Sequence, residues 1–172
     1  MHLSNLAITK NFFYLDKDIL NGGKTNFCMG VAGYPEKHFE APNAQTDLQF
    51  LKAKVEAGAE YITTQMFFDN QKYFDFEKTC RAQGISVPII PGLKPITSKK
   101  QLTVIPRTFH VEIPTALSTE ILKCKTDEEA ERVGTEWLIM QSKELKQHGE
   151  AVQAYQTVVK QYPDHPLAAK CQ

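Results

Sequence analysis

Apolar residues along this chain fall into two alternating patterns, short continuous runs and longer stretches with a helical repeat. The first run, NFCMGVAGYP after Thr25, is apolar and ends in glycine and proline, as a buried strand leading into a loop would. Asp47 to Gly58 follows with Leu48, Leu51 and Val55 on one face, charges on the other and a closing glycine, which predicts an amphipathic helix. AEYITTQMFF, rich in β-branched and aromatic residues, predicts a second strand, and Gln71 to Gln83 a second helix closed by Gly84. ISVPIIPGL is a third strand running into a Pro/Gly turn. Ser98 to Leu102 can open a short helix, Pro114 to Lys123 forms another, and Asp127 to Gln147 forms a longer one. For that last helix Thr126 is the expected N-cap and Glu129 completes a capping box.

Strands alternating with helices at this spacing predict parallel strands joined by crossover helices, because a tight turn cannot connect a parallel pair. The class is α/β. Polar features cluster at or just beyond the C-terminal ends of the strands, where barrel active sites lie, although open parallel sheets share that tendency. A full barrel takes about 250 residues and eight strands; this chain has 172 residues and three clear strands before Gly149.

Composition narrows the partners. Twenty basic residues balance twenty acidic ones, so no net field draws nucleic acid or an anionic membrane surface. No segment approaches the roughly 20 apolar residues of a membrane span and the N-terminal stretch lacks a signal-peptide core, so the expected compartment is the cytoplasm. Cys28, Cys80, Cys124 and Cys171 are widely spaced, with no histidine at ligand spacing, and read as free thiols rather than a zinc site or disulfide framework.

The loop from Gly33 to Ala41 gathers Tyr34, Glu36, Lys37, His38 and Glu40. A phenol and an imidazole can both stack and hydrogen-bond, which suits a bulky cofactor, while composition alone favours a solvated loop. Gln65, at the end of the second strand, carries an amide able to donate and accept at once, as a heterocycle edge requires; a bond to a neighbouring loop is the simpler alternative. Phe67, Phe68, Tyr73, Phe74 and Phe76 read as core. Gln101 is unremarkable by itself. No phosphate loop, nucleophile elbow or GxGxxG occurs.

Taken in order, GVAGYPEKHFEAPN, DLQFLKAKVEAGAEYITTQMFFD and GISVPIIPGLKPI resemble the methylenetetrahydrofolate reductase family across about 120 residues. The resemblance implies a partial (β/α)8 barrel, about strands five to seven with their helices, over residues 1–149. It also implies FAD as cofactor and NAD(P)H-dependent reduction of 5,10-methylenetetrahydrofolate to 5-methyltetrahydrofolate, which supplies methionine synthesis. Carried over by motif position, Tyr34, His38, Ala41, Asp47 and Lys54 would contact FAD, and Gln65 and Gln101 the folate side.

The chain also departs from the family pattern. The glutamate near the end of the first barrel strand and the LRGD-like loop after the fourth have no counterpart here, so no catalytic acid is assigned. A truncated and largely inactive form is expected, with open edges that favour self-association or a complementing barrel fragment. Where the family continues into an HFYT-like eighth strand, residues 150–172 instead have Val152, Tyr155, Val158 and Val159 on one helical face. This tail resembles part of a tetratricopeptide repeat, and a single such repeat cannot bury its own face. A docked C-terminal helix is the other reading. The alternative function is a non-catalytic interaction module that uses the tail.

Overall fold

The computed structural model describes residues 28–147. Strands β1 (Gly30–Gly33), β2 (Tyr61–Met66) and β3 (Ile89–Gly92) form one parallel sheet in the order β1-β2-β3. Helices α1 (Ala44–Glu56) and α2 (Asn70–Ala82) are the crossovers, and α3 (Gln101–Phe109), α4 (Thr115–Lys123) and α5 (Asp127–Gln147) follow. The α/β class and every predicted element over these residues are present, with shifted ends. α1 starts three residues earlier than its apolar stripe indicates because Asn43 caps it, its side chain accepting from Thr46 N at 2.8 Å. Asp69 caps α2 in the same way through Gln71 N. α3 runs well past Leu102 to Phe109, tolerating Pro106 within it, and ends where His110 turns left-handed. The predicted tail, 150–172, lies outside the described residues, as does the start of the first predicted strand.

The sheet has two unlike faces. Val31, Ile62 and Ile89 are lateral neighbours in the register, and all three are buried with Leu51 of α1, Tyr73 and Cys80 of α2 and Leu145 of α5. Along the opposite face, Gly30, Ala32 and Thr63 are exposed. Among the described residues the helices thus cover one side of a sheet type that is usually covered on both. Phe67, Phe68 and Tyr73 are core, as the aromatic stripe suggests; Tyr73 also donates from its hydroxyl to the Ile89 carbonyl at 2.8 Å, joining α2 to β3. No helix among the described residues is long and apolar enough to cross a membrane.

A second cluster, built on Phe68, Ile96, Ile105, Val111, Leu117 and Ile121, lies under α3, α4 and α5. Between the two clusters α5 is fastened by polar contacts. Trp137 Nε1 donates to the Phe68 carbonyl at 2.9 Å, and buried Gln141 donates to the Phe67 carbonyl and to Asn70 Oδ1. Asn70 Nδ2 answers with bonds to the Gln141 carbonyl and to Glu144. At the start of α5 Thr126 Oγ1 accepts from Glu129 N as predicted, whereas Glu129 reaches back to Lys125 N, one residue before the position of a regular capping box.

Close approach makes Gly134 sensitive. A Cβ there would stand 2.0 Å from the Ile96 carbonyl oxygen, so Gly134→Ala should cost about 1–3 kcal/mol or more through overpacking, read as a lowered urea midpoint. Burial also pushes the Cys80 thiol up to about 12. Because the unfolded thiol ionises near 8.5, its contribution is complete below that pH and declines as pH rises toward the folded value. In native protein at pH 8, iodoacetamide should therefore leave Cys80 unlabelled while half-buried Cys28 reacts, as mass spectrometry of the peptides would report.

Candidate functional site

β1 delivers its chain into a loop that folds on itself. Lys37 sits at φ 74°, an uncommon conformation for a residue with a side chain. Its ammonium offsets that cost by donating to the carbonyls of His38 at 2.8 Å and Ala41 at 2.6 Å, with Phe39 at 3.4 Å. Lys37 N bonds back to Tyr34, and Ala41 N to His38. Asp47, in the first turn of α1, accepts from His38 N at 2.8 Å, so the helix start and the loop hold each other. The His38 ring packs edge-on against Tyr34, centroids 4.6 Å apart. Burial raises the Tyr34 phenol above its usual value and the Asp47 charge adds to that, so the hydroxyl remains a donor at neutral pH.

Behind this loop a cleft of about 360 Å³ opens between α1 and α2 at the end of β1. Tyr34, Asp47 and Lys54 line it from one side, Asp75, Phe76 and Thr79 of α2 from the other, with Leu48 and Leu51 supplying apolar wall. Gly33 lies in its floor: a Cβ there would come within 2.9 Å of the Phe76 ring. A second, shallower depression lies on the exposed sheet face, bordered by Tyr61, Thr63, Gln65 and again Tyr34. Tyr34 thus lines both.

Of the residues predicted from sequence, Tyr34, Asp47 and Lys54 share the first cleft, and Tyr34 and Gln65 share the second. His38 reaches this group through Tyr34 and Asp47. Ala41 is buried and contributes its carbonyl to Lys37. Gln65 Oε1 accepts from Met66 N at 3.0 Å. Gln101 stands apart from both clefts, its amide accepting from Thr97 N and donating to Thr97 Oγ1, each at 2.9 Å, at the start of α3. The sequence reading missed the wall that α2 contributes and the closing role of Lys37; the first lies on a polar helix face with no motif, and the second depends on carbonyl directions. Among the described residues no three His, Cys, Asp or Glu side chains are grouped to hold a metal ion.

The model of the methylenetetrahydrofolate reductase family matches residues 15–158. The chain belongs to this family. Relatives include the probable methylenetetrahydrofolate reductase (NADPH) of Caenorhabditis elegans, 38% identical over 126 residues, 73% of this chain and 19% of that protein. Methylenetetrahydrofolate reductase 2 of Saccharomyces cerevisiae is 36% identical over 80% of this chain and 24% of its own length. The 5,10-methylenetetrahydrofolate reductase of Escherichia coli is 46% identical over 52% of this chain and 30% of its own. The chain thus spans a fifth to a third of the length of these reductases. A protein from Clostridium thermocellum, described as binding two copies of 5-methyl-5,6,7,8-tetrahydrofolic acid, shares the fold at TM-score 0.53 and 21% identity, over 69% of this chain and 41% of that one.

Asp47 should prove the keystone of the loop. Asp47→Ala removes a charge-assisted acceptor from His38 N and should cost about 1.5–3 kcal/mol in chemical denaturation, whereas Asp47→Asn, which still accepts, should cost less than half of that.

Proposed function

We propose that this chain forms part of the wall of a (β/α)8 barrel reductase, its three described strands standing about fifth to seventh in the barrel. In this reading the complete barrel reduces 5,10-methylenetetrahydrofolate to 5-methyltetrahydrofolate with NAD(P)H through FAD in the cytoplasm, feeding methionine synthesis, and this chain by itself is a truncated and largely inactive form. The observation that carries the reading is the convergence of Tyr34, Asp47 and Lys54 in one cleft that runs between α1 and α2 from the end of β1, on a chain whose other sheet face is exposed among the described residues. Among the described residues, that exposed face and the single-sided pairing of β1 and β3 are what a section of barrel wall would present. Self-association or a complementing barrel fragment would cover them.

The residues present fit one portion of a flavin dinucleotide. A cleft of about 360 Å³ is at the small end of ligand sites, so it holds part of such a molecule rather than the whole. Lys54 supplies a cation for a pyrophosphate, Asp47 an acceptor for a sugar hydroxyl, and Tyr34 with His38 a polar aromatic edge. When bound, FAD supplies the hydride chemistry. The chain's own residues bind, orient and shield: Tyr34 keeps its proton and donates, Gln65 presents an amide on the open face toward the folate, and Leu48 and Leu51 keep water from the cleft floor. Gln101 would have to release Thr97 to meet the folate.

The test is flavin retention by the purified full chain, followed by visible absorbance and fluorescence titration. The expected result is saturable FAD uptake that weakens about tenfold in Lys54→Ala and in His38→Ala, equivalent to about 1.4 kcal/mol each. Well-folded chain that retains no flavin would overturn the cofactor reading for this chain.

A further inference from the structure

We infer that Glu36 and Phe39 are positioning residues that lock the loop bearing Tyr34 and His38 onto the α3–α4 connector, His110 to Glu112. Two contacts join the two segments across a long stretch of sequence, and a third ties the connector to α2. Glu36 Oε2 accepts from Glu112 N at 3.0 Å. The Phe39 ring stacks on His110, centroids 4.6 Å apart and planes inclined by 17°. Lys72 of α2 donates to Glu112 Oε2 at 3.0 Å and ties in the third element, although Glu112 is largely and Lys72 partly exposed and such a pair contributes little.

Several observations set this brace apart from an ordinary loop contact. Phe39 is 57% exposed yet packs against two imidazoles, His110 at 4.6 Å and His38 at 5.0 Å, so ring contacts run in series from Tyr34 through His38 and Phe39 to His110. Among the described residues, Lys37 and His110 are the non-glycine residues with positive φ, and they stand at the two ends of the brace. The connector is a firm anchor because Val111, between His110 and Glu112, is buried in the second core cluster. Glu36 is half-buried, and desolvation holds its carboxyl above the usual carboxylate range despite the bond from Glu112 N, which lowers it. A carboxylate is placed there at a cost, which a position needing only solubility would not carry.

This inference rests on the proposed cofactor role of Tyr34 and His38 for its functional meaning, but its structural content is tested without any ligand. Amide hydrogen exchange on the full chain reads the loop directly at His38 and Ala41, whose N–H groups bond to Asp47 and to the His38 carbonyl. Glu36→Ala and Phe39→Ala should each speed exchange at these amides about tenfold, while Glu36→Gln, which can still accept from Glu112 N, should stay within about twofold of the parent. Rescue by glutamine separates a positioning acceptor from general destabilisation, as does unchanged exchange in β2. Unchanged exchange at His38 and Ala41 in both alanine variants overturns the brace. Were Glu36→Ala to lose its fold, Phe39→Ala decides by the same criterion. In a parallel FAD titration the alanine variants should weaken uptake about tenfold, with glutamine restoring it. Parent chain that takes up no flavin would sink the cofactor reading while leaving the exchange result to judge the brace.

Discussion

Where β2 leaves the sheet, the carbonyls of Phe67 and Phe68 are carried into the interior beyond the reach of any strand partner, and α5 answers both. A buried backbone acceptor left unbonded is costly, so the Trp137 indole and Gln141 amide fix the long helix in rotation and height together. Asn70 then couples the start of α2 to the same helix. The consequence reaches both hydrophobic clusters, since Leu145 closes the one under the sheet and Ala130 belongs to the one under α3 and α4. Gly134 allows α5 to press against the backbone at Ile96, which sets where the segment leading into α3 begins.

The candidate site depends on that arrangement at one remove. α2, held by Asn70, supplies one wall of the cleft and carries Lys72 toward the connector; α1, capped by Asn43, presents Asp47 to the loop. The loop itself is closed from within by Lys37 and from outside by Glu36 and Phe39. Tyr34 and His38 therefore hang on a segment held by α1, by the α3–α4 connector and by its own Lys37, an arrangement suited to holding an extended ligand in one pose. The family relationship gives this geometry its chemical meaning.

Much of the architecture was legible from periodicity. The apolar stripe Leu48, Leu51, Val55 faces the core as a 3.6 repeat demands, and the helix that opens at Asp127 begins where the sequence reading puts it. Boundaries moved where capping decides them, at Asn43 and Asp69, because one side-chain bond to a free backbone N–H adds residues that no apolar pattern marks. Motif resemblance singled out Tyr34, Asp47 and Lys54, and the three line one cleft. Gln101 stands apart from it, because its amide finds a partner four residues away in Thr97, and nothing in the letters says which acceptor it will choose.

By itself the sequence determined the α/β class, the order of elements, the aromatic core and the family, since these follow from local periodicity and ordered motifs. Only the tertiary structure decided that the helices cover one face of the sheet, that Asn70, Trp137 and Gln141 carry a buried polar joint, and that Glu36 meets a backbone amide 76 residues away. The reason is physical. Periodicity records which side of an element is apolar, whereas a hydrogen bond between distant segments depends on where two backbones end up after packing, and that is fixed by the whole set of contacts at once.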